Sequence, residues 1–224
     1  SWANDAWVNN SLVTFTYDGS GNLLTKLTES WSNGAWINSS LSTYTYDASG
    51  NLLNELKEAW TGSAWVGDWL YIYTYDGNGN MLSQTWGKWK NGVWQNPNRE
   101  TYTYDARDNR LTLLLEKGTN GVWANYSREV YTYDSSDNML TFTSERWING
   151  AWGESYRYAY TYDESGNRII ELYQQVTNGA WANYRQNTYT YDGSGNMLSD
   201  IEQEWYSNNW KYTYRTTNTY NGSG

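Results

Sequence analysis

The sequence contains no cysteine and no histidine, and its 224 residues include one proline and two phenylalanines. Without cysteine there is no disulfide framework, and without either residue there is no Cys/His zinc site and no catalysis that uses His or Cys as base or nucleophile. The chemistry left is carboxylate, hydroxyl and aromatic. Basic residues are also scarce, 15 Lys and Arg against 24 Asp and Glu for a net charge of −9. Contacts to phosphates need clustered Lys and Arg, so nucleic acid is not an expected partner. Long apolar runs are missing too. The longest aliphatic stretch is Leu113–Leu115, against the roughly 20 residues of a membrane helix. No charged-then-apolar segment opens the chain, so a secreted form is expected to be one whose signal has been removed. Lack of Cys fits any compartment.

What the chain does have is aromatic: 16 Trp and 23 Tyr, with 20 Gly. Disordered segments are poor in aromatics, which sets ordinary disorder aside, and the length is sufficient for a core. The aromatics recur. Thr-Tyr-Asp ends at Asp18, Asp47, Asp76, Asp105, Asp134, Asp163 and Asp192, always 29 residues apart, with an eighth copy at Thr219-Tyr220-Asn221. Four residues after each Asp comes Asn (22, 51, 80, 109, 138, 167, 196). Thirteen residues after the Asp comes a Trp, replaced only by Gly118 and Val176, and five residues later a second Trp. No linker interrupts the series, so residues 1–224 read as a single array of about eight repeats.

Each period holds two turn signals about fourteen residues apart, the spacing of long strands joined by hairpins. In Trp31-Ser32-Asn33-Gly34-Ala35-Trp36, Asn-Gly supplies the positive φ that both central positions of a type I′ turn require. That turn sets Trp31 opposite Trp36 at a non-hydrogen-bonded site, where side chains approach most closely. The same pairing is expected for Trp60/Trp65, Trp89/Trp94, Trp147/Trp152 and Trp205/Trp210, with a sixth pair at Trp2/Trp7. At about 0.5–1.5 kcal/mol per pair beyond area burial, six pairs amount to roughly 3–9 kcal/mol, comparable with a domain's net stability. The second signal, Asp18-Gly19-Ser20-Gly21-Asn22, reads as a type I turn followed by a left-handed residue in a G1 bulge. Asp47, Gly50 and Asn51 repeat it, and Asp108 and Asp137 stand in two copies where the others have Gly.

The fold expected from this pattern is all-β: an antiparallel meander of about 15 long strands built from hairpin repeats. Strict alternation from Trp31/Trp36 and Tyr46/Leu52 collects the Trp pairs, Tyr44, Tyr46, Leu23, Leu27 and Leu52 on one face. The other face then holds the Thr16, Thr45 and Thr74 column, the Leu24 column, and Lys26, Arg99, Arg128 and Arg157. Crossing two strands advances 27 residues while the repeat advances 29, so each hairpin slips by two. A sheet that slips steadily coils into a superhelical β-solenoid or, as the alternative, closes into an up-and-down barrel or shell. A membrane barrel needs an apolar band about 25 Å tall, and mid-strand charges such as Glu58, Glu116 and Arg99 interrupt both faces, so membrane insertion is not expected.

Thr45-Tyr46-Asp47-x-x-Gly50-Asn51 and its copies resemble the YD repeats of the RHS family, bacterial surface and toxin-carrier proteins whose repeats wind into a β-sheet shell. With Trp-x-Asn-Gly-x-Trp in the other turn, the full unit is similar to tandem arrays in large secreted bacterial proteins exported by the type IX route. The resemblance covers essentially the whole chain and implies an extracellular or cell-surface location. The Trp hairpin departs from ordinary RHS units, and no segment resembles their self-cleaving or toxin parts.

Three site chemistries compete with a purely structural reading. Asp18, Ser20 and Asn22 place oxygens at alternate loop positions as calcium loops do, but no distant bidentate Glu completes them and an Asx-stabilised turn explains the same residues. No metal or cofactor is therefore expected, and chelator is expected to leave stability unchanged. Flat rings at Trp36, Tyr44, Trp65, Trp69, Tyr73 and Trp94 are candidates for stacking on glycans, with avidity from even spacing. Glu100 and Glu129 fall one repeat apart in a recurring column, the pattern of a ladder rather than of a singular catalytic cluster, and no enzyme activity is expected. The array starts at Ser1-Trp2 within a strand and stops at Asn221-Gly222-Ser223-Gly224 within a turn. Its two edges are then open to self-association or to neighbouring repeats, and the chain is expected to be part of a longer array or a subunit of a filament. The functional expectation is a structural scaffold, adhesin stalk or filament subunit, with a multivalent carbohydrate-binding module as the alternative.

Overall fold

The computed structural model describes residues 2–3, 6–7 and 10–220 and is all-β. Two short strands, β1 (Trp2–Ala3) and β2 (Ala6–Trp7), pair with each other, Trp2 opposite Trp7. Next come β3 (Ser11–Tyr17), β4 (Leu23–Ser32), β5 (Ala35–Tyr46), β6 (Leu52–Trp60), β7 (Trp65–Tyr75), β8 (Met81–Lys90), β9 (Val93–Tyr104) and β10 (Arg110–Thr119). They continue as β11 (Val122–Tyr133), β12 (Met139–Ile148), β13 (Ala151–Tyr162), β14 (Arg168–Thr177), β15 (Ala180–Tyr191), β16 (Met197–Tyr206) and β17 (Asn209–Thr217). From β3 to β17 each strand pairs with its chain neighbours in one fifteen-stranded antiparallel meander. The sheet is open: β3 and β17 end the order and do not pair with each other, which removes the closed-barrel alternative. The chain divides into two compact units, Ser1–Tyr102 with Leu115–Asn125, and Thr103–Leu114 with Tyr126–Gly224.

Both turn types have their chemical cause in the sequence. At the Trp turn Asn33 and Gly34 have φ of 51° and 83°, the doubly positive pair of a type I′ turn. Ser207 and Asn208 do the same at 51° and 64°, whereas Gly62 alone is positive in the Trp60–Trp65 turn, as type II′ requires. At the Asp turn the positive-φ position is held by Gly21 and Gly50, and by Asp108 and Asp137 at 64° and 66°.

The strands contain a device that strict alternation overlooks. Within β4–β5 the pairing runs Trp31↔Trp36, Glu29↔Asn38, then Thr28↔Ser40, leaving Ser39 as a bulge. Asp68, Ser155, Tyr184 and Thr213 are the extra residues at the same place in other repeats. A second bulge follows each Asp turn, at Leu24 where Thr16↔Thr25 gives way to Tyr17↔Leu23. Each bulge inverts the alternation beyond it. The expected face assignment is therefore corrected. The Trp pairs share their face with Leu27, Thr25 and the Thr45 column, and also with Arg99, Arg128 and Arg157; Tyr44, Tyr46, Leu23 and Leu52 lie on the opposite face with Lys26. The two bulges offset one another in register, since Thr16↔Thr25↔Thr43 still advances 27 residues over two strands.

No side chain among the described residues is fully buried. The least exposed apolar ones are Tyr131 and Tyr189, and the least exposed polar ones Glu145, Gln174 and Ser199. The aromatics do not fill a space between layers; they cover the sheet and one another.

Candidate functional site

The Trp face is built from the hairpin tips inward. Two-residue turns, type II′ between Trp60 and Trp65 and type I′ in the other two, place the indoles edge-to-face: Trp31–Trp36 at 5.1 Å and 71°, Trp60–Trp65 at 5.0 Å and 61°, and Trp89–Trp94 at 5.1 Å and 73°. Trp147–Trp152 and Trp205–Trp210 both sit at 4.9 Å and 69°. The side chains of Trp2 and Trp7, the sixth pair, lie outside the described residues, as does the turn at 221–224. Inward of the tips comes a motif that spans two hairpins. Arg99 lies over the Trp123 ring at 4.5 Å and donates through Nε to Glu116 at 2.8 Å. Arg128 lies over Trp152 at 4.7 Å and donates from Nε and Nη2 to Glu145. Arg157 lies over Trp181 at 4.6 Å and donates to Gln174 at 2.6 Å. Guanidinium stacking of this kind is worth about 0.5–2 kcal/mol, more as the pair is desolvated. Still further in, hydroxyls pair across strands, Thr16 with Thr25 at 2.6 Å and Thr132 with Thr141 at 2.6 Å.

The Tyr face carries most of the other aromatics, Tyr212 remaining on the Trp face opposite Gln203. In the second unit Tyr158 meets Tyr173 at 4.9 Å and Tyr160 at 6.2 Å, and Tyr131 meets Phe142 at 5.2 Å. In the first, Trp69 stacks on Tyr71 at 6.3 Å, and Lys57 sits 4.6 Å over the Tyr71 ring. The six glycan-stacking candidates are thus divided: Trp36, Trp65 and Trp94 belong to indole pairs on one face, and Tyr44, Trp69 and Tyr73 to the other. Burial pushes the phenols of Tyr73 and Tyr160 up to about 12, with Glu55 and Glu171 respectively adding to the effect.

Each Asp turn is closed by its own side chains. Asp18 Oδ1 accepts from the backbone N–H groups of Ser20 and Asn22, both at 2.8 Å, while Oδ2 accepts from the Asn22 amide at 2.9 Å. Asp47 holds Ser49 and Asn51 in the same way. The Asn amide followed by backbone N–H groups holds the carboxyls of Asp18, Asp47, Asp163 and Asp192 below their ordinary value. At Asp105 burial opposes this and the N–H groups of Arg107 and Asn109 prevail. Consecutive repeats are stitched by tyrosines that precede an Asp: the Tyr46 hydroxyl donates to the Leu23 carbonyl at 2.9 Å, Tyr162 to Met139 and Tyr191 to Arg168 likewise.

The carboxylates weighed for catalysis are each taken up by a neighbouring phenol, Glu100 by Tyr102 and Glu129 by Tyr131. Among the described residues there is no group of three or more acidic side chains placed to hold a metal ion. Two features had no counterpart in the sequence reading, the Arg–Glu–Trp motif and the Tyr stitch. Their signals were present, an Arg column 17 residues ahead of a Glu or Gln column and an invariant Tyr before Asp.

No family model matches the chain, and no curated protein matches it in sequence. Among solved structures it is similar to TcdB2–TccC3, with 17% identity and a TM-score of 0.49 over 90% of this chain and 12% of that one. A protein of unknown function from Bacteroides fragilis matches at 12% identity and a TM-score of 0.44, covering 55% of this chain and 93% of that one. A porin-like protein from Bacteroides uniformis matches at 11% and 0.39, covering 91% and 87%.

Proposed function

We propose that the chain is a non-enzymatic structural repeat of the YD type, extracellular or at the cell surface, which acts as a scaffold by continuing its sheet into further strands. The observation that carries this reading is the chemistry of the two outer strands. Among the described residues β3 pairs only with β4, all seven of its residues are exposed, and it carries Leu12, Val13, Phe15 and Tyr17 with no charge. Among the described residues β17 pairs only with β16; it exposes Tyr212 at 76% and Tyr214 at 63% and carries Lys211 and Arg215. An edge left unpaired and apolar, as β3 is, is a template for another strand, and charge or proline is what ordinarily protects one. The Asp turns, the Arg–Glu pairs and the Tyr–Glu bonds engage their charged groups in patterns that recur along the chain, which suits a load-carrying element better than a reaction centre.

Negative-stain electron microscopy together with sedimentation tests the proposal. Concentration-dependent assemblies of uniform width are expected, and Phe15→Lys with Tyr214→Lys is expected to return them to single particles. Monodisperse single chains at every concentration would remove edge pairing between copies from the proposal. A continuation through neighbouring repeats would then have to be sought in a chain extended by one repeat at each end.

A further inference from the structure

The Trp column is broken twice, by Val176 and by Gly118, and only beside Gly118 is the bulge residue of the neighbouring strand a proline. At the tip of the fourth full hairpin Gly118 stands where all other repeats but that of Val176 have Trp, and Pro97, the sole proline, occupies the mid-strand bulge position. The two changes fit each other. A Cβ on Gly118 would lie 2.8 Å from Pro97 Cγ and 3.2 Å from Trp123, so the pyrrolidine ring fills the place of a side chain. Pro is tolerated there because a bulge residue owes no ladder hydrogen bond.

The missing indole leaves a cleft of about 460 Å³ between the tips that carry Trp94 and Trp123, lined also by Gln95, Asn96, Pro97 and Asn120. The corresponding cleft one repeat earlier, where Trp89 is present, measures about 260 Å³. The larger volume is within the range of small-ligand sites. We propose that this cleft binds a neutral, gluco-configured pyranose chain. Two indoles and a proline ring offer flat apolar surface. Three carboxamides offer both donors and acceptors. No charged side chain lines the cleft to meet an ionic ligand. A sugar with equatorial hydroxyls combines an apolar C–H face with a rim of hydroxyls, which matches that lining. Arg99, stacked on Trp123 and held by Glu116, fixes the indole that the ligand would use.

The test is nitrogen-15 indole NMR of the full chain titrated with cellotetraose, maltotetraose and chitotetraose to about 10 mM, enough to approach saturation at a Kd of about 1 mM. Saturable shifts confined to the Trp94 and Trp123 resonances are expected with at least one of the three. Trp123→Ala is expected to weaken binding at least tenfold, and Trp65→Phe, in an intact pair, to leave it unchanged. The double variant Pro97→Ser, Gly118→Trp restores the ordinary repeat, so it should fold with its hairpin intact and lose binding. Absence of any saturable shift, shifts spread evenly over all indole pairs, or unchanged binding in the folded double variant would each overturn the assignment.

Discussion

A turn carboxylate such as Asp47 accepts three hydrogen bonds in its ionised form, two from backbone N–H groups and one from an amide. Its folded pKa is thereby held below the 3.8 it has when free. Between the folded value and 3.8 the unfolded chain binds more protons than the folded one. The contribution is therefore complete above about pH 4 and is lost as the pH falls through the lowered values. Denaturant midpoints are expected to be level from neutral pH down to about pH 4 and to drop below it, the repeated turns acting together. Asp47→Ala should reduce that drop, and it should speed amide exchange at Ser49 and Asn51, whose N–H groups lose their acceptor. A variant that exchanged at wild-type rates at both amides would show that the turn is held by its backbone alone.

At the scale of the strand, the Arg–Glu–Trp motif makes an asymmetric claim. Glu145 is 6% exposed and receives two bonds from Arg128. Arg128→Ala strands a buried carboxylate, and the loss expected in urea unfolding is about 3 kcal/mol. Glu145→Gln reproduces what the next repeat already does with Arg157 and Gln174, and should cost less than about 1 kcal/mol. Equal losses would mean that the carboxylate charge of Glu145 is required and that an amide cannot take its place. The motif also marks the limit of what was legible in the sequence. Both turns could be read because their backbone angles demand particular residues, Asn-Gly in one and Asp with Gly or Asp in the other. The pairing of Trp31 with Trp36 follows from turn length. The mid-strand bulge has no such signature: Ser39, Asp68, Ser155, Tyr184 and Thr213 differ in size, charge and branching, and Pro97 takes the same place. Overlooking it reversed half of each strand, set the arginines opposite the tryptophans they cover, and merged two aromatic faces into one. Pro97 was the available hint, since proline within a long strand is accommodated at a bulge.

Across the whole molecule, protection should follow the number of partners a strand has rather than depth in a core, because no described side chain is fully buried. Amide exchange is expected to be fastest in β3, which has one neighbour and no covered residue, and slowest around Tyr131 and Tyr189, the least exposed apolar positions. Uniform protection across all fifteen strands would instead indicate one cooperative unit, unlike the nearest-neighbour behaviour of repeat arrays. The Tyr stitch adds a direction to this picture. In each case the donor is the later residue and the acceptor a carbonyl 23 positions earlier, Tyr46 to Leu23, Tyr162 to Met139, Tyr191 to Arg168. Every stitch points back along the chain to a turn already made and requires nothing of the residues that follow. A polypeptide leaving a ribosome or threading a pore from its N-terminus can therefore fasten each repeat as it emerges, like a zip drawn in one direction, and the length still to come does not alter what has been closed.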